Sequence, residues 1–146
     1  MGLGDHANSK AYCKIVIMLN KKRLASSWIF AQKRGLDNAG YEDHSWAVDE
    51  VINFAANKPN DLWEIILEIL ALDDSEEIVK AVGAGPLEDL MVYHGEQFID
   101  EIEKQAAKSN AFKTAMQNVW LDGDDSSLYK RFYEIADIRP PFENVE

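Results

Sequence analysis

The chain has 146 residues, of which 47% are hydrophobic, and a formal net charge of −11 at pH 7. Its length suits one domain, and its hydrophobic content is enough for a packed core, which excludes a disordered acidic tail. A single cysteine excludes an internal disulfide framework, and the longest apolar run, Ile15–Leu19, is far shorter than the roughly 18 residues of a membrane span. We therefore expect a cytoplasmic protein.

Charge is unevenly distributed along the chain. Residues 1–40 carry a net charge of +5, whereas residues 41–146 carry −16. A surface this acidic repels nucleic acids and anionic membranes and attracts basic proteins. The distribution therefore predicts a basic protein partner, and neither a nucleic-acid nor a membrane partner. It also predicts that residues 1–40 pack as basic helices on the acidic helical body of residues 41–137.

Two helices are predicted before Gly35, separated by the basic run Lys21–Arg23. The apolar residues of the first helix follow the spacing i, i+3, i+4, i+7 at Tyr12, Ile15, Val16 and Leu19. The apolar residues of the second helix are Leu24, Trp28 and Ala31. The β-branched residues within positions 15–17 leave a strand as the alternative to the first helix. We interpret the basic run as a solvated turn or helix end, because a nucleic-acid site would need more basic surface.

After a loop at residues 35–42, turn-forming residues divide the chain into short helices. The predicted helices cover residues 43–57, 61–72, 75–82, 86–94, 96–108, 110–121 and 128–137. Short turns make neighbouring helices antiparallel. The sequence thus predicts an all-α, single-domain fold of eight or nine short helices stacked as hairpins, with a loose tail at residues 138–146. The predicted core contains Trp63, Leu67, Leu87, Leu90, Phe98, Ile102, Phe112 and Trp120.

The stretch 83–90 is typical of a helix end followed at once by a helix start. Gly83 suits the position after a helix, while Gly85 and Pro86 suit the N-cap and first position of the next one. The other residues of the motif are assigned to the first turn and the end of this second helix: Glu88, Asp89, His94 and Gly95. If Gly85 has a positive φ or a close helix contact, Gly85→Val strongly destabilises the protein. The motif is either a site or only a helix junction.

A larger set of residues resembles, in order and spacing, a family of small bacterial proteins of unknown function. The set comprises Trp46, Asp49-Glu50, Trp63–Ile66, Ala84–Leu90, His94-Gly95, Ile99, Ile102-Glu103, Phe112 and Val119-Trp120. Its most specific part is Gly-Pro-Leu-Glu-Asp-Leu followed by His-Gly, and the resemblance covers roughly residues 40–121. The resemblance implies an all-helical fold and a bacterial origin, and it implies no activity.

No group of residues forms a recognised catalytic or cofactor motif. Cys13 and His44 are a candidate nucleophile and base, but no motif surrounds either, and cysteine is more often a buried core residue. His94 with Glu88 and Asp89 lacks the Glu-x-x-His or His-x-x-x-His spacing of helical metal sites. We interpret His94 as binding the last carbonyl groups of its own helix. The sequence predicts no catalytic residue, no metal ligand and no cofactor.

Three functions remain open at this stage. The charge of residues 41–146 favours a non-enzymatic binding protein of the immunity or inhibitor type for a basic partner. A small enzyme or metal-binding protein would have its site near His94 and Glu88. A self-assembling module would form a homodimer through an apolar helix face in the region of Trp28 and Trp46. For the first function, the predicted contact residues are Asp73, Asp74, Glu76, Glu77, Asp100, Glu101 and Glu103.

Overall fold

The computed structural model describes residues 3–34, 40–121 and 126–141, and all its regular elements are helical. The elements are α1 (Leu3–Arg34), α2 (Tyr41–Asn57), α3 (Pro59–Leu72), α4 (Glu76–Val82), a π-helical turn (Gly83–Leu87), α5 (Glu88–Lys108), α6 (Asn110–Met116) and α7 (Ser127–Ala136). The predicted all-α, single-domain class is confirmed, and the strand alternative near the N-terminus is wrong. Most of the loop predicted at 35–42 and part of the predicted tail, residues 142–146, lie outside the described residues.

The predicted number of eight or nine helices is wrong, because the described residues form six continuous helical segments. Lys21–Arg23 does not interrupt α1, since Lys and Arg are good helix formers and no Gly or Pro accompanies them. The π-helical turn joins α4 to α5 without a break, so residues 75–82 and 86–94 form no hairpin. Gly95 does not end a helix either, because α5 continues through it with a kink at His94.

The core lies where the second half of α1 meets α2 and α3, and where α5 packs with α6 and α7. Of the predicted core residues, five are buried and two are half-buried: Leu87, Leu90, Phe98, Ile102 and Phe112, then Trp63 and Leu67. Trp63 contacts Phe98 and Phe112, with ring centroids 5.9 Å and 5.6 Å apart respectively. This aromatic cluster joins α3 to α5 and α6.

Trp120 was predicted to lie in the core, but this prediction is wrong. Its side chain is 63% exposed. The cause is that α6 ends at Met116, five residues before the predicted end. In the segment that follows, Val119 and Leu121 are buried instead. The buried Tyr133 hydroxyl donates to the Val119 carbonyl and accepts from the Leu121 N–H, each over 2.8 Å. Tyr133 thus satisfies backbone groups that have left the helix.

The two halves of α1 differ in burial. Tyr12, Ile15 and Leu19 of the first half are 69%, 55% and 59% exposed. Leu24, Trp28 and Ala31 of the second half are buried. Among the described side chains of α1, those buried against the body therefore lie in its second half.

Basic residues of that second half bind acids of the body. Lys33 lies 2.6 Å from Asp73, and Lys21 forms an ion pair with Glu64. The Arg23 guanidinium lies 4.9 Å from the ring centroid of Trp46. The basic start of the chain thus neutralises part of the acidic body. Among the described residues, no helix has both the length and the apolar character needed to cross a bilayer.

Candidate functional site

The π-helical turn is the most unusual backbone feature of the fold. A proline inside an α-helix lacks the N–H for its hydrogen bond, and its ring clashes with the carbonyl group four residues earlier. Pro86 occupies such an interior position, and the wider π-helical turn Gly83–Leu87 accommodates it. Because the backbone is continuous, Glu88 and Asp89 are not at a free helix N-terminus, and their assignment to the first turn of a new helix is wrong. Single π-helical turns are frequent at functional sites.

One face of this turn is packed against α6. A Cβ atom added to Gly83 would lie 2.1 Å from the Ala115 carbonyl oxygen and 2.8 Å from the Asn118 Cβ. Gly83 is therefore required for close backbone contact, and it does not end a helix: its φ and ψ of −62° and −49° are α-helical.

The other face of the turn borders an open cleft of about 370 Å³. Trp28 and Gln32 of α1 and Val51 of α2 form one side, and Gly85 and Asp89 lie on the other. A Cβ atom added to Gly85 would meet nothing within 4 Å, and its φ lies outside the left-handed region. The expectation that Gly85 has a positive φ or a close helix contact is therefore wrong. Gly85 leaves space in the cleft instead.

Asp89 is the acidic side chain of this cleft. Burial beside its apolar walls raises the pKa of the Asp89 carboxyl group. Within the described part of the chain, no hydrogen bond or ion pair to this carboxylate compensates for the lost water. The cleft thus combines apolar walls, the Gln32 amide and a carboxylate that pairs with no cation of the described residues.

Glu88 and His94 do not converge on a common site. The Glu88 Oε1 accepts a hydrogen bond from the Trp120 N–H at 2.8 Å, which holds the segment after α6. His94 Nε2 lies 2.8 Å from the carbonyl oxygen of Ala55, in the last turn of α2 rather than in its own helix as predicted. The described residues contain no group of three or more His, Cys, Asp or Glu side chains placed to hold a metal ion.

His94 has a local structural role in the kink of α5. Its φ and ψ of −140° and 19° are not helical, and Gly95 beside it is buried, with its Cβ position 2.9 Å from Leu128 Cδ2. The imidazole N–H satisfies a carbonyl group at the end of α2, where helices leave such groups unpaired. The kink therefore joins α5 to α2 and brings it close to α7.

Cys13 and His44 are far apart. Cys13 is exposed in the first half of α1, whereas His44 stacks on Phe30 with ring centroids 4.2 Å apart. Seventeen residues of helix separate Cys13 from Phe30, which corresponds to about 25 Å. The two side chains cannot act together as nucleophile and base.

The first group of predicted contact acids lies around the junction of α3 and α4. Hydrogen bonds from Lys33 and from Ser75 lower the pKa of Asp73 to about 2. Glu76 binds Lys80 at 2.8 Å. Asp74 and Glu77 are exposed and form no ion pair with another described residue. Only these two are therefore free to contact a partner without loss of an internal ion pair.

Each predicted contact acid of the second group, on α5, already binds a basic side chain. Arg131 of α7 binds Asp100 at 2.8 Å and Glu103 at 3.3 Å, and this pairing raises the pKa of Arg131. Glu101 lies 3.6 Å from Lys104. These acids therefore contribute to joining α5 and α7.

The sequence singled out Gly85, Pro86 and Asp89 but missed the opposite wall of the cleft. Trp28, Gln32 and Val51 lie more than 30 residues away in the chain, and their spacing indicates only the faces of their helices. No sequence signal distinguishes Asp89, which lines the cleft, from Glu88, which binds a backbone N–H.

The chain was compared with families, with curated proteins and with solved structures. The model of a family of unknown function, DUF6869, matches residues 34–139. No curated protein and no solved structure matches the chain. The matched region includes the π-helical turn, Asp89 and Val51, whereas Trp28 and Gln32 precede it.

Proposed function

The chain belongs to the DUF6869 family of unknown function, and from its cleft we propose that it is a non-enzymatic protein-binding module for a basic partner. The observation that supports this proposal is Asp89, a partly buried carboxylate that binds no cation among the described residues and lies at an open apolar cleft. A lysine or arginine side chain has the matching chemistry. Its aliphatic part can contact Trp28 and Val51 while its charged end binds Asp89.

The acidic surface would act at longer range. A strongly negative body accelerates the approach of a basic protein, and salt weakens this effect. Asp74 and Glu77 can take part because they form no ion pair among the described residues. Asp73, Glu76, Asp100, Glu101 and Glu103 would contribute mainly to the electrostatic field, since each already binds a basic side chain.

The role that fits this arrangement is that of an inhibitor or immunity protein for a basic protein such as a nuclease toxin. Such a role needs a rigid surface and no chemistry of its own. We place it in the bacterial cytoplasm, where the exposed thiol of Cys13 would stay reduced.

A peptide titration followed by NMR tests the cleft directly. The probe is a short peptide of alternating arginine and leucine, and the reference is the same peptide with glutamate in place of arginine. We expect the arginine peptide to shift the amide signals of residues 83–89, and the glutamate peptide to leave them unchanged. Equal shifts with both peptides would remove the proposal.

A matched pair of variants separates the cleft from general acidity. Asp89→Asn and Asp74→Asn remove the same charge, one inside the cleft and one on the exposed surface. We expect Asp89→Asn to weaken peptide binding about tenfold, as loss of a partly buried ion pair does, and Asp74→Asn to weaken it about twofold or less. Equal losses would assign binding to diffuse charge and not to the cleft.

Exchange of Asp74 and Glu77 for lysine tests the steering. We expect a slower association rate at low salt, a smaller difference at high salt, and an unchanged melting temperature, because exposed charges contribute little to stability. An association rate that does not respond to salt would contradict the role given to the acidic surface.

A further inference from the structure

The first half of α1 exposes a large amount of apolar surface. We call residues 11–20 the arm; every arm side chain is exposed except Val16, which is half-buried. The large apolar side chains of the arm are Tyr12, Ile15, Ile17, Met18 and Leu19. Together they expose on the order of 500 Å², distributed around the helix, which is a large exposed apolar area for one segment of a monomer. A helix with so much apolar surface is usually covered by another element.

One apolar stripe of the arm faces away from its own body. Tyr12, Ile15 and Leu19 form one apolar stripe, and Leu24, Trp28 and Ala31 form the stripe that packs on the body. Leu24 follows Leu19 by five residues, which rotates the second stripe about 140° from the first. A straight helix cannot bury both stripes against one body. The apolar stripe of the arm therefore fits a surface outside its own protomer.

A groove of about 410 Å³ lies where the arm leaves the body. Its walls include Trp46 and Phe54 of α2 and Ile65 of α3, and its acidic residues are Glu50 and Asp61. The side of the arm that faces the body contributes Ile17 and Asn20 to the groove. Lys21 and Arg23 also line it, but Glu64 binds Lys21, and Arg23 lies over Trp46. Glu50 and Asp61 form no ion pair with another described residue.

We propose that two copies of this chain form a two-fold symmetric dimer in which the arm of each copy binds the groove of the other. Apolar groove walls would cover Tyr12, Ile15 and Leu19. The arm contains Lys14 and no acid, and Lys22 just after it is exposed and forms no ion pair with another described residue, so these two lysines complement Glu50 and Asp61.

The contact would form twice, because each copy contributes both an arm and a groove. Its modest area per copy predicts a reversible dimer of moderate affinity. A reciprocal contact of this kind closes at two copies and leaves no unpaired arm. The proposal is independent of the proposed function, because neither the arm nor the groove contains Asp89.

Sedimentation velocity of the full chain over a wide range of concentration tests the dimer. We expect a reversible monomer–dimer equilibrium. Leu19→Gln should weaken the dimer about tenfold or more, as truncation of a central apolar contact does. Leu72→Gln, at an exposed leucine far from the arm in α3, is the matched control and should leave the dimer unchanged. A wild-type protein that stays monomeric at the highest concentration, or equal effects of both variants, would overturn the proposal.

A mixing experiment tests the contact between arm and groove. A double variant with Tyr12→Gln and Leu19→Gln has a damaged arm, and one with Glu50→Lys and Asp61→Lys has a damaged groove. We expect each to be monomeric alone and the two to form a weaker heterodimer when mixed, because one intact arm then meets one intact groove. If the groove variant dimerises like the wild type, the arms pair with each other and the proposal is wrong.

Binding to vesicles of anionic lipid tests the alternative that the arm contacts a membrane. If the wild type is monomeric and binds such vesicles, and Leu19→Gln abolishes this binding, the arm is assigned to a membrane and the dimer proposal is wrong.

Discussion

Gly83 and Gly85 lie two residues apart in the same π-helical turn, yet their surroundings are opposite. At Gly83 the backbone of α6 approaches so closely that a Cβ atom would overlap the Ala115 carbonyl oxygen. At Gly85 the same addition would meet open space in the cleft. One face of the turn therefore belongs to the packed core, and the other is free to bind a ligand.

Two acidic residues, Asp73 and Asp89, differ in a similar way. Asp73 is held by Lys33 and Ser75, and these contacts lower its pKa. Asp89 borders the cleft, and burial raises its pKa. A carboxylate that is already satisfied is part of the structure, whereas one that has lost water without gaining a cation is a candidate for binding.

The largest expected effect is the difference between Gly83→Ala and Gly85→Ala. Gly83→Ala should lower the free energy of unfolding by about 2–4 kcal/mol, because a backbone carbonyl has to move. Gly85→Ala should change it by less than about 1 kcal/mol, because the new Cβ atom meets open space, and the lower conformational entropy of alanine is offset by the restriction that Pro86 places on the preceding residue. Urea denaturation of both variants measures the difference. Similar stabilities would show that the two faces are alike.

Tyr133→Phe tests how the packed face is supported. The substitution leaves the Val119 carbonyl and the Leu121 N–H without their partner in a buried segment. We expect the free energy of unfolding to fall by about 1–3 kcal/mol. Tyr129→Phe, at a half-buried position in the same helix, is the comparison variant and should cost less. A Tyr133 variant as stable as the wild type would show that water replaces the hydroxyl group.

Asp73→Asn should have a smaller, pH-dependent effect. The folded pKa of about 2 lies below the ordinary value of 3.8. The folded state therefore binds fewer protons, and the contribution to stability is complete above about pH 4 and is lost as the pH falls towards 2. We expect a loss of about 1 kcal/mol at pH 7, after allowance for solvent screening of a pair with an exposed lysine. Melting temperatures of wild type and variant should converge below pH 3.

Asp89→Asn should have the smallest effect on stability, and of opposite sign. Because the folded pKa is raised, the folded state binds more protons, and ionisation of Asp89 destabilises it. We expect the variant to be more stable than the wild type by a few tenths of a kcal/mol at pH 7, roughly the scale of a partly exposed charge. This difference should disappear as the pH falls through the raised pKa. A destabilised variant would indicate that Asp89 supports the fold and is not kept for a ligand.

Local sequence patterns predicted the helical class and most helix positions. The apolar spacing of Ile66, Leu70 and their neighbours, and Lys58-Pro59 before α3, define α2 and α3 to within a few residues. Ser109 is a typical N-cap residue before α6, and its hydroxyl accepts from the Phe112 N–H at 3.1 Å. These signals act over a few residues, so they can be read from the sequence alone.

The wrong predictions share a cause. In each case one local sequence pattern is compatible with two different structures. Gly-Ala-Gly-Pro is compatible both with a break between helices and with a π-helical turn, and the packing of Gly83 on α6 decided for the turn. The stripe of Tyr12, Ile15 and Leu19 indicates a helix, but not what covers it. Only the position of Leu24 and Trp28 against the body showed that the arm stripe faces elsewhere.

By itself, the sequence determined that this protein is an acidic all-helical domain, because composition and apolar period act through short-range preferences and burial. The tertiary structure alone decided which carboxylates form ion pairs with basic side chains of the same chain. Lys33 reaches Asp73 and Arg131 reaches Asp100 across 40 and 31 positions of the chain, and no spacing rule predicts such pairs. The same long-range packing placed Trp28 and Gln32 opposite Asp89, which turned a helix junction in the sequence into the wall of a cleft.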